Sequence, residues 1–297
     1  MQRIKLSNNL SFSRIIQGFW RLTEWNLTPE ELVKFIEDRL ELGITTYDTA
    51  EIYGKGEAEI QLGKALKLKP KLREKMEIVT KTNITVDFSE DIPFGYYDSR
   101  YDRIIASCKK SIDHMNCDYI DLYLIHREDP CINFNEVAKA LIDLKKMGLV
   151  KEIGVSNFDP MKFKCLNKAV GNTLVTNQIE VNPQCFEHFE SGMIDYLTYK
   201  EIPPMIWSPV SGGLLFTSTE DIYVNSRKVL DTLAKKYNTT VSTMVYAWLM
   251  YHPMKAMPIV GSQKIERIKE ALDAFDIKLE HIDWFKIYTS SKQKVLR

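Results

Sequence analysis

The feature that most restricts the fold of this chain is a repeated alternation of short apolar or β-branched runs with segments of helical spacing. Strand-type runs fall at residues 15–20, at the stretch ending on Asp48, and at 76–81, 119–126, 151–156, 175–182, 205–208 and 256–261. Helical spacing fills the intervals, at 28–42, 57–68, 100–115, 134–147, 160–169, 192–199, 226–237, 241–251 and 266–275. Local chemistry supports the boundaries: Thr28-Pro29-Glu30-Glu31 supplies an N-cap, a proline at the first helical position and a capping-box acid, and Gly43 ends the helix that follows. Eight strands alternating with helices in one unbroken chain predict an α/β fold, a closed (β/α)8 TIM barrel. A weak alternation around Asn8-Asn9 predicts an N-terminal hairpin, and the amphipathic stretch at 282–288 joins a set of extra C-terminal helices.

An open doubly wound sheet is the structural alternative, but no GxGxxG follows the first strand, and Gly54-Lys55-Gly56 has the wrong continuation. No Pro/Gly/Ser-rich linker or break in composition introduces a second domain, so residues 1–297 read as a single domain. Lys plus Arg equals Asp plus Glu at 40 each, which indicates no nucleic-acid partner. No run approaches a membrane span, and MQRIKLSNNLSFSRI lacks the continuous apolar core of a signal peptide; a cytoplasmic protein without a membrane partner is expected. The 5 cysteines are scattered without a CxxC pair and the 5 histidines form no HExxH, so neither a disulfide framework nor a protein-bound metal is expected. Without an obvious dimerisation module, the expectation is a monomer.

A barrel of this kind places its active site at the C-terminal ends of the strands. The polar residues there are Asp48 and Tyr53 after the second strand, Lys81 ending the third, His126 ending the fourth, Ser156 and Asn157 after the fifth, Gln178 within the sixth, and Trp207 and Ser208 ending the seventh. Singly, each has a plain alternative: a snorkelling lysine, a histidine capping a strand, a core tryptophan. Their common placement on one ring of strand ends favours a site. An acid, a lysine, a tyrosine and a histidine without metal ligands suit proton transfer to or from a carbonyl oxygen. Tyrosine alone is a poor acid near neutrality because its unperturbed pKa is about 10. A neighbouring ammonium favours the phenolate, and a carboxylate holds that ammonium in position, the parts assigned to Lys81 and Asp48 beside Tyr53. Side chains supply no hydride, so a nicotinamide cofactor is expected.

At this point the chain resembles the aldo-keto reductase superfamily, closer to its short-tailed bacterial oxidoreductases than to the mammalian aldose and steroid reductases. The likeness is carried in order by GITTYDTAEIYG, the lysine closing IVTK, DYIDLYLIHREDP, KKMGLVKEIGVSNFDP, NQIEVNP, WSP and PIVGSQKIERI. The resemblance implies a catalytic tetrad of Asp48, Tyr53, Lys81 and His126, with Tyr53 as general acid in reduction and His126 orienting the substrate carbonyl. It implies that Ser156, Asn157 and Gln178 bond the nicotinamide carboxamide and that Trp207 supplies the surface under that ring. The loop over residues 208–215, with Ser208 and Leu214, would cover the pyrophosphate, and Ser262 and Arg267 would meet an adenosine 2′-phosphate. Two departures bear on the cofactor: Gly261 stands where a lysine commonly precedes that serine, and Glu270 is followed by Ala271 rather than asparagine. NADP(H) is favoured, with NAD(H) the alternative.

The resemblance also implies a small-molecule carbonyl or alcohol as substrate. With the sequence ending at Arg297, no counterpart of the long C-terminal loop of the steroid and aldose reductases is expected. Selectivity then falls to Trp20, to the excursion at 82–99 with Phe88, Phe94, Tyr96 and Tyr97, and to the loop at 127–133. The competing function is a nucleotide-binding regulatory or redox-sensing protein, because the superfamily includes potassium-channel auxiliary subunits. A metal-free barrel isomerase or lyase is the third reading.

Overall fold

A computed structural model describes residues 1–86 and 92–291 of the chain. Phe88 lies outside the described residues, as does Arg297. The chain packs as two compact units, Met1–Gln178 and Ile179–Arg297.

The first unit opens with the expected hairpin, β1 (Arg3–Lys5) against β2 (Ser11–Ser13), antiparallel with Arg3 opposite Ser13. It continues through β3 (Ile16–Gly18), α1 (Pro29–Glu41), β4 (Thr46–Asp48), α2 (Glu57–Leu68), β5 (Glu77–Thr82), β6 (Ile84–Thr85), β7 (Tyr96–Tyr97), α3 (Tyr101–Met115), β8 (Ile120–Ile125), α4 (Phe134–Lys146), β9 (Val150–Ser156), α5 (Pro160–Ala169) and all but the last two residues of β10 (Leu174–Glu180). The second unit contains α6 (Glu187–Glu190), α7 (Met193–Tyr199), β11 (Met205–Trp207), α8 (Leu214–Thr217), α9 (Asp221–Lys236), α10 (Val241–Tyr251), β12 (Met257–Val260), α11 (Ile265–Asp273) and α12 (His281–Ser290). Eight strands close a barrel in the order β3-β4-β5-β8-β9-β10-β11-β12, the topology that the alternation predicts.

Local sequence accounts for the boundaries that matter. Thr28 accepts a bond from Glu31 N at 3.2 Å while Glu31 Oε2 accepts from Thr28 N at 2.8 Å, a complete capping box ahead of Pro29. All of β8 is buried, as a strand covered on both faces must be, and each such Leu or Ile contributes roughly 1.5–3 kcal/mol relative to exposure. At Gly63 of α2 a Cβ would collide with the carbonyl of His114 on α3, so only glycine permits the close approach of these two helices.

Register brings the strand ends level. Gly18 pairs with Asp48, Asp48 with Val79, Lys81 with Leu124, Ile125 with Val155, and Ser156 with Gln178. Residues far apart in sequence therefore reach the same rim.

Spacing did not disclose everything. The excursion at 82–99 carries a second small hairpin, β6 paired with β7, whose two-residue strands are too short to leave a period. Helix α9 begins at Asp221, not near Ser226. Its start, Asp221-Ile222-Tyr223-Val224-Asn225, is poor in helix formers, and Arg227 anchors it by donating to the carbonyls of Leu215 at 2.8 Å and Ser218 at 3.1 Å.

Candidate active site

Strand β4 ends on a buried carboxylate, Asp48, and β5 delivers Lys81 beside it. Lys81 is fully buried, and its ammonium has three donors for three acceptors: Asp48 Oδ2 at 2.8 Å, Thr49 O at 2.7 Å and Tyr53 Oη at 3.0 Å. Burial opposes the ammonium, yet Asp48 and Tyr53 outweigh it and raise the Lys81 pKa, so the lysine stays charged. The other carboxylate oxygen of Asp48 accepts from Gln178 Nε2 at 2.7 Å.

Tyr53 opens a one-turn 3-10 segment, Tyr53–Gly56, that leads into α2. Gly56 sits there at φ +95 with the His114 ring 3.2 Å from where a Cβ would stand. His114 thus packs under the turn, with Nδ1 3.5 Å from Glu59 Oε2, and makes no hydrogen bond to the lysine or the phenol. Burial raises the Tyr53 pKa and Lys81 only partly offsets this. From sequence, the neighbouring ammonium is expected to make Tyr53 a better acid; burial, which spacing does not reveal, outweighs that effect and leaves a protonated phenol with a cation in contact.

His126 follows β8, its ring in edge-to-face relation with that of Tyr53 at 6.1 Å between centroids. Burial, then Lys81 and Arg127, hold its pKa well below the usual histidine value, so the imidazole is neutral. Its Nδ1 is buried without a hydrogen-bond partner among the described residues. A stranded N–H costs more than a stranded lone pair, so we assign the proton to Nε2. Ser156 donates to Gln178 O at 2.9 Å and accepts from Asn157 Nδ2 at 2.8 Å; the same amide reaches His126 O at 3.2 Å. Asp48, Tyr53, Lys81, His126, Ser156, Asn157 and Gln178 thus form one polar network. Trp20, just beyond β3, is 58% exposed under the guanidinium of Arg21 and makes no hydrogen bond to that network among the described residues.

The remaining candidates belong to the second unit. Trp207 ends β11 and Ser208 follows it, both half-buried; Ser208 has φ +48, and its carbonyl accepts from Asn182 Nδ2 at 3.0 Å. Leu214, exposed, begins α8. Gly261 and Ser262 follow β12, where Ser262 Oγ accepts from Lys264 N at 3.2 Å. Helix α11 begins without a side-chain cap, and on it Arg267 pairs with Glu270 at 2.9 Å and lies 5.6 Å from the Phe216 ring. Two residues with site contacts escaped the strand-end reading: Glu51, inside the Asp48–Tyr53 stretch, and Asn83, two beyond Lys81. Their polarity so close to Tyr53 and Lys81 was the available signal.

Comparison with known proteins agrees with this geometry. The profile of the Aldo/keto reductase family matches residues 14–290. Oxidoreductase YdhF of Escherichia coli (strain K12) is 40% identical over 289 residues, covering 97% of this chain and 96% of that protein. A 6-dehydroglucose reductase of Agrobacterium fabrum is 40% identical over 292 residues, covering 97% of each. Among solved structures, a thermostable aldo-keto reductase, Tm1743, crystallised with the inhibitor epalrestat, superposes with a TM-score of 0.81 at 25% identity, over 97% of this chain and 99% of that one. The closed barrel, the buried Asp48–Lys81–Tyr53 contact and these likenesses lead to one conclusion: the chain belongs to the aldo/keto reductase family and is an NAD(P)H-dependent oxidoreductase that reduces carbonyl groups.

Proposed function

We propose that this enzyme is an NADPH-preferring aldehyde or ketone reductase in which Tyr53 is the proton donor. The observation that carries the proposal is the 3.0 Å contact between Lys81 Nζ and Tyr53 Oη, with Asp48 at 2.8 Å on the same ammonium. A reduced nicotinamide, when bound, supplies the hydride. As the carbonyl oxygen becomes an alkoxide, Tyr53 gives it a proton and the resulting phenolate meets Lys81 already in place, without reorganisation. Neutral His126 donates from Nε2 to the same carbonyl oxygen and orients it. Asp48, held by Gln178, fixes the lysine.

The residues fit the cofactor. Ser156, Asn157 and Gln178 present hydroxyl and amide groups suited to a carboxamide, and Trp207 offers an aromatic surface. Ser208 and Leu214 flank a turn with positive φ at Ser211, Gly212 and Gly213, where a Cβ on either glycine would meet nothing within 4 Å; that open backbone suits a pyrophosphate. Gly261, Ser262 and the uncapped start of α11 suit a phosphate, with Arg267 the cation for it and Glu270 the partner it leaves. This set favours NADPH over NADH although Gly261 supplies no charge. We assign substrate contacts to Trp20, Tyr53 and His126.

The proposal further treats residues 1–297 as one cytoplasmic, monomeric domain; the division between the compact units falls inside a single strand, β10. No helix among the described residues is long and apolar enough to cross a membrane. Light scattering checks the monomer, against which a stable mass of twice 34.5 kDa would count. Stopped-flow oxidation of bound NADPH by a panel of aldehydes and ketones tests the function, and the A. fabrum relative's name makes a polyhydroxylated aldehyde a sensible first member. Turnover with NADPH and a carbonyl is expected. Cofactor binding with no turnover across the panel would instead support a nucleotide-sensing protein.

A further inference from the structure

We propose that Glu51 and Asn83 are positioning residues that together fix the Tyr53–Lys81 pair relative to His126, so that both proton donors meet one carbonyl oxygen. The inference rests on the roles assigned above to Tyr53 and His126. It begins at the end of β5. Asn83, two residues beyond Lys81, is fully buried and adopts φ +92, a conformation in which glycine is far less strained than asparagine. Such strain persists where the surroundings over-determine it. Here the surroundings are specific: Asn83 Nδ2 donates to Arg127 O at 2.8 Å, and Asn83 Oδ1 accepts from Arg127 N at 3.0 Å. A side-chain amide therefore grips both polar atoms of the residue next to His126. The second Nδ2 hydrogen goes to Ser99 Oγ at 3.0 Å. Because His126 N also donates to Thr82 O at 2.8 Å, the β5–β8 pairing runs past its last backbone pair through the Asn83 amide. Aspartate lacks the donor, and alanine or glycine lacks both groups.

Glu51 ties the tyrosine to the same point. Two residues before Tyr53, it donates its backbone N–H to Lys81 O at 3.2 Å, and its Oε1 accepts from Thr82 Oγ1 at 3.1 Å and Asn83 N at 3.0 Å. Arg103 of α3 holds this carboxylate with two bonds, at 3.1 and 3.0 Å. The Tyr53 turn, the end of β5 and the His126 peptide thus meet at Asn83, and the single helix α3 secures the meeting point. Neither residue has a hydrogen bond to the phenol or the imidazole among the described residues, so both act through others. Misplacing a reacting group by about 1 Å can cost about a hundredfold in rate, which makes this brace consequential.

Asn83→Gly is the informative variant, since it relieves φ while deleting the amide. Per folded active site, counted by cofactor titration, its single-turnover hydride-transfer rate should fall at least about tenfold, with carbonyl KM raised. Cofactor affinity should stay within about twofold, because no group assigned to the cofactor changes. In 15N-histidine spectra the His126 imidazole signals should move or broaden. Glu51→Ala should give the same pattern, and Glu51→Gln, which keeps an acceptor for Thr82 and Asn83, should recover most of the rate. If Asn83→Gly does not fold, Asn83→Asp is read the same way, since it keeps the acceptor for Arg127 N and loses both donors. Wild-type rate and KM per folded molecule, whatever the melting temperature, would overturn the proposal, as would a loss shared equally by Glu51→Gln and Glu51→Ala. Tyr53→Phe is the control: if it turns over like wild type, the assigned mechanism fails, and the His126 spectrum alone still decides whether the brace exists.

Discussion

The catalytic network and the Ser262–Arg267 segment are both charged sites, built on opposite terms. Lys81 is fully buried with all three donors committed, whereas the Arg267 side chain is 46% exposed and makes its side-chain hydrogen bonds and ion pair only through Nη1 among the described residues. Chemistry on a developing alkoxide gains from groups fixed in advance, since nothing need reorganise when charge appears. An arginine that reads a phosphate, the role proposed for Arg267, gains from being able to exchange one carboxylate partner for another anion. The first arrangement ties function to folding; the second leaves them separable.

That contrast can be broken first through stability. Lys81→Met keeps most of the side-chain volume but leaves Asp48 buried without its cation, and should cost about 3–5 kcal/mol in chemical denaturation as well as turnover. Arg267→Ala should alter stability by no more than about 0.5 kcal/mol. Comparable losses in both variants would erase the distinction. Next comes binding: Arg267→Ala should weaken NADPH about tenfold to a hundredfold by direct titration, with NADH little changed, because only the 2′-phosphate loses a charge-assisted bond. Equal weakening of both cofactors would show that Arg267 does not read that phosphate.

The smallest effect concerns pH. Burial holds both His126 and His252 below the usual histidine pKa in the folded protein, while the unfolded chain takes up protons near about 6.5. Below that pH the unfolded state binds more protons, so stability is complete above about pH 6.5 and declines as pH falls toward the folded values. His126→Asn should flatten this decline by up to about 1.4 kcal/mol per pH unit. Unchanged slopes in denaturation at pH 5 and 7 would mean that His126 is not buried as a neutral ring.

Much of the fold was legible because it rests on local rules. The capping box at Thr28, the glycine ending the helix that follows it, Gly43, and the eight-fold alternation are all short-range. The ring of Asp48, Tyr53, Lys81 and His126 was legible too, because strand ends in a barrel share a rim. What escaped depends on tertiary approach. The Gln178–Asp48 bond joins residues 130 apart in sequence, and only the closed sheet makes them neighbours. The Tyr53 pKa followed burial, which no spacing encodes. Asn83 was hidden because a polar residue after a strand looks like any loop residue until its φ and its amide bonds are known.

The most direct test of the central claim is single-turnover hydride transfer by Tyr53→Phe, which keeps the ring and removes its transferable proton. Cofactor affinity should survive while the rate on a validated carbonyl substrate falls at least about a hundredfold, the lower end of what a positioned acid contributes. An undiminished rate would mean that the proton comes from another group, and the Asp48–Lys81–Tyr53 assignment would be wrong.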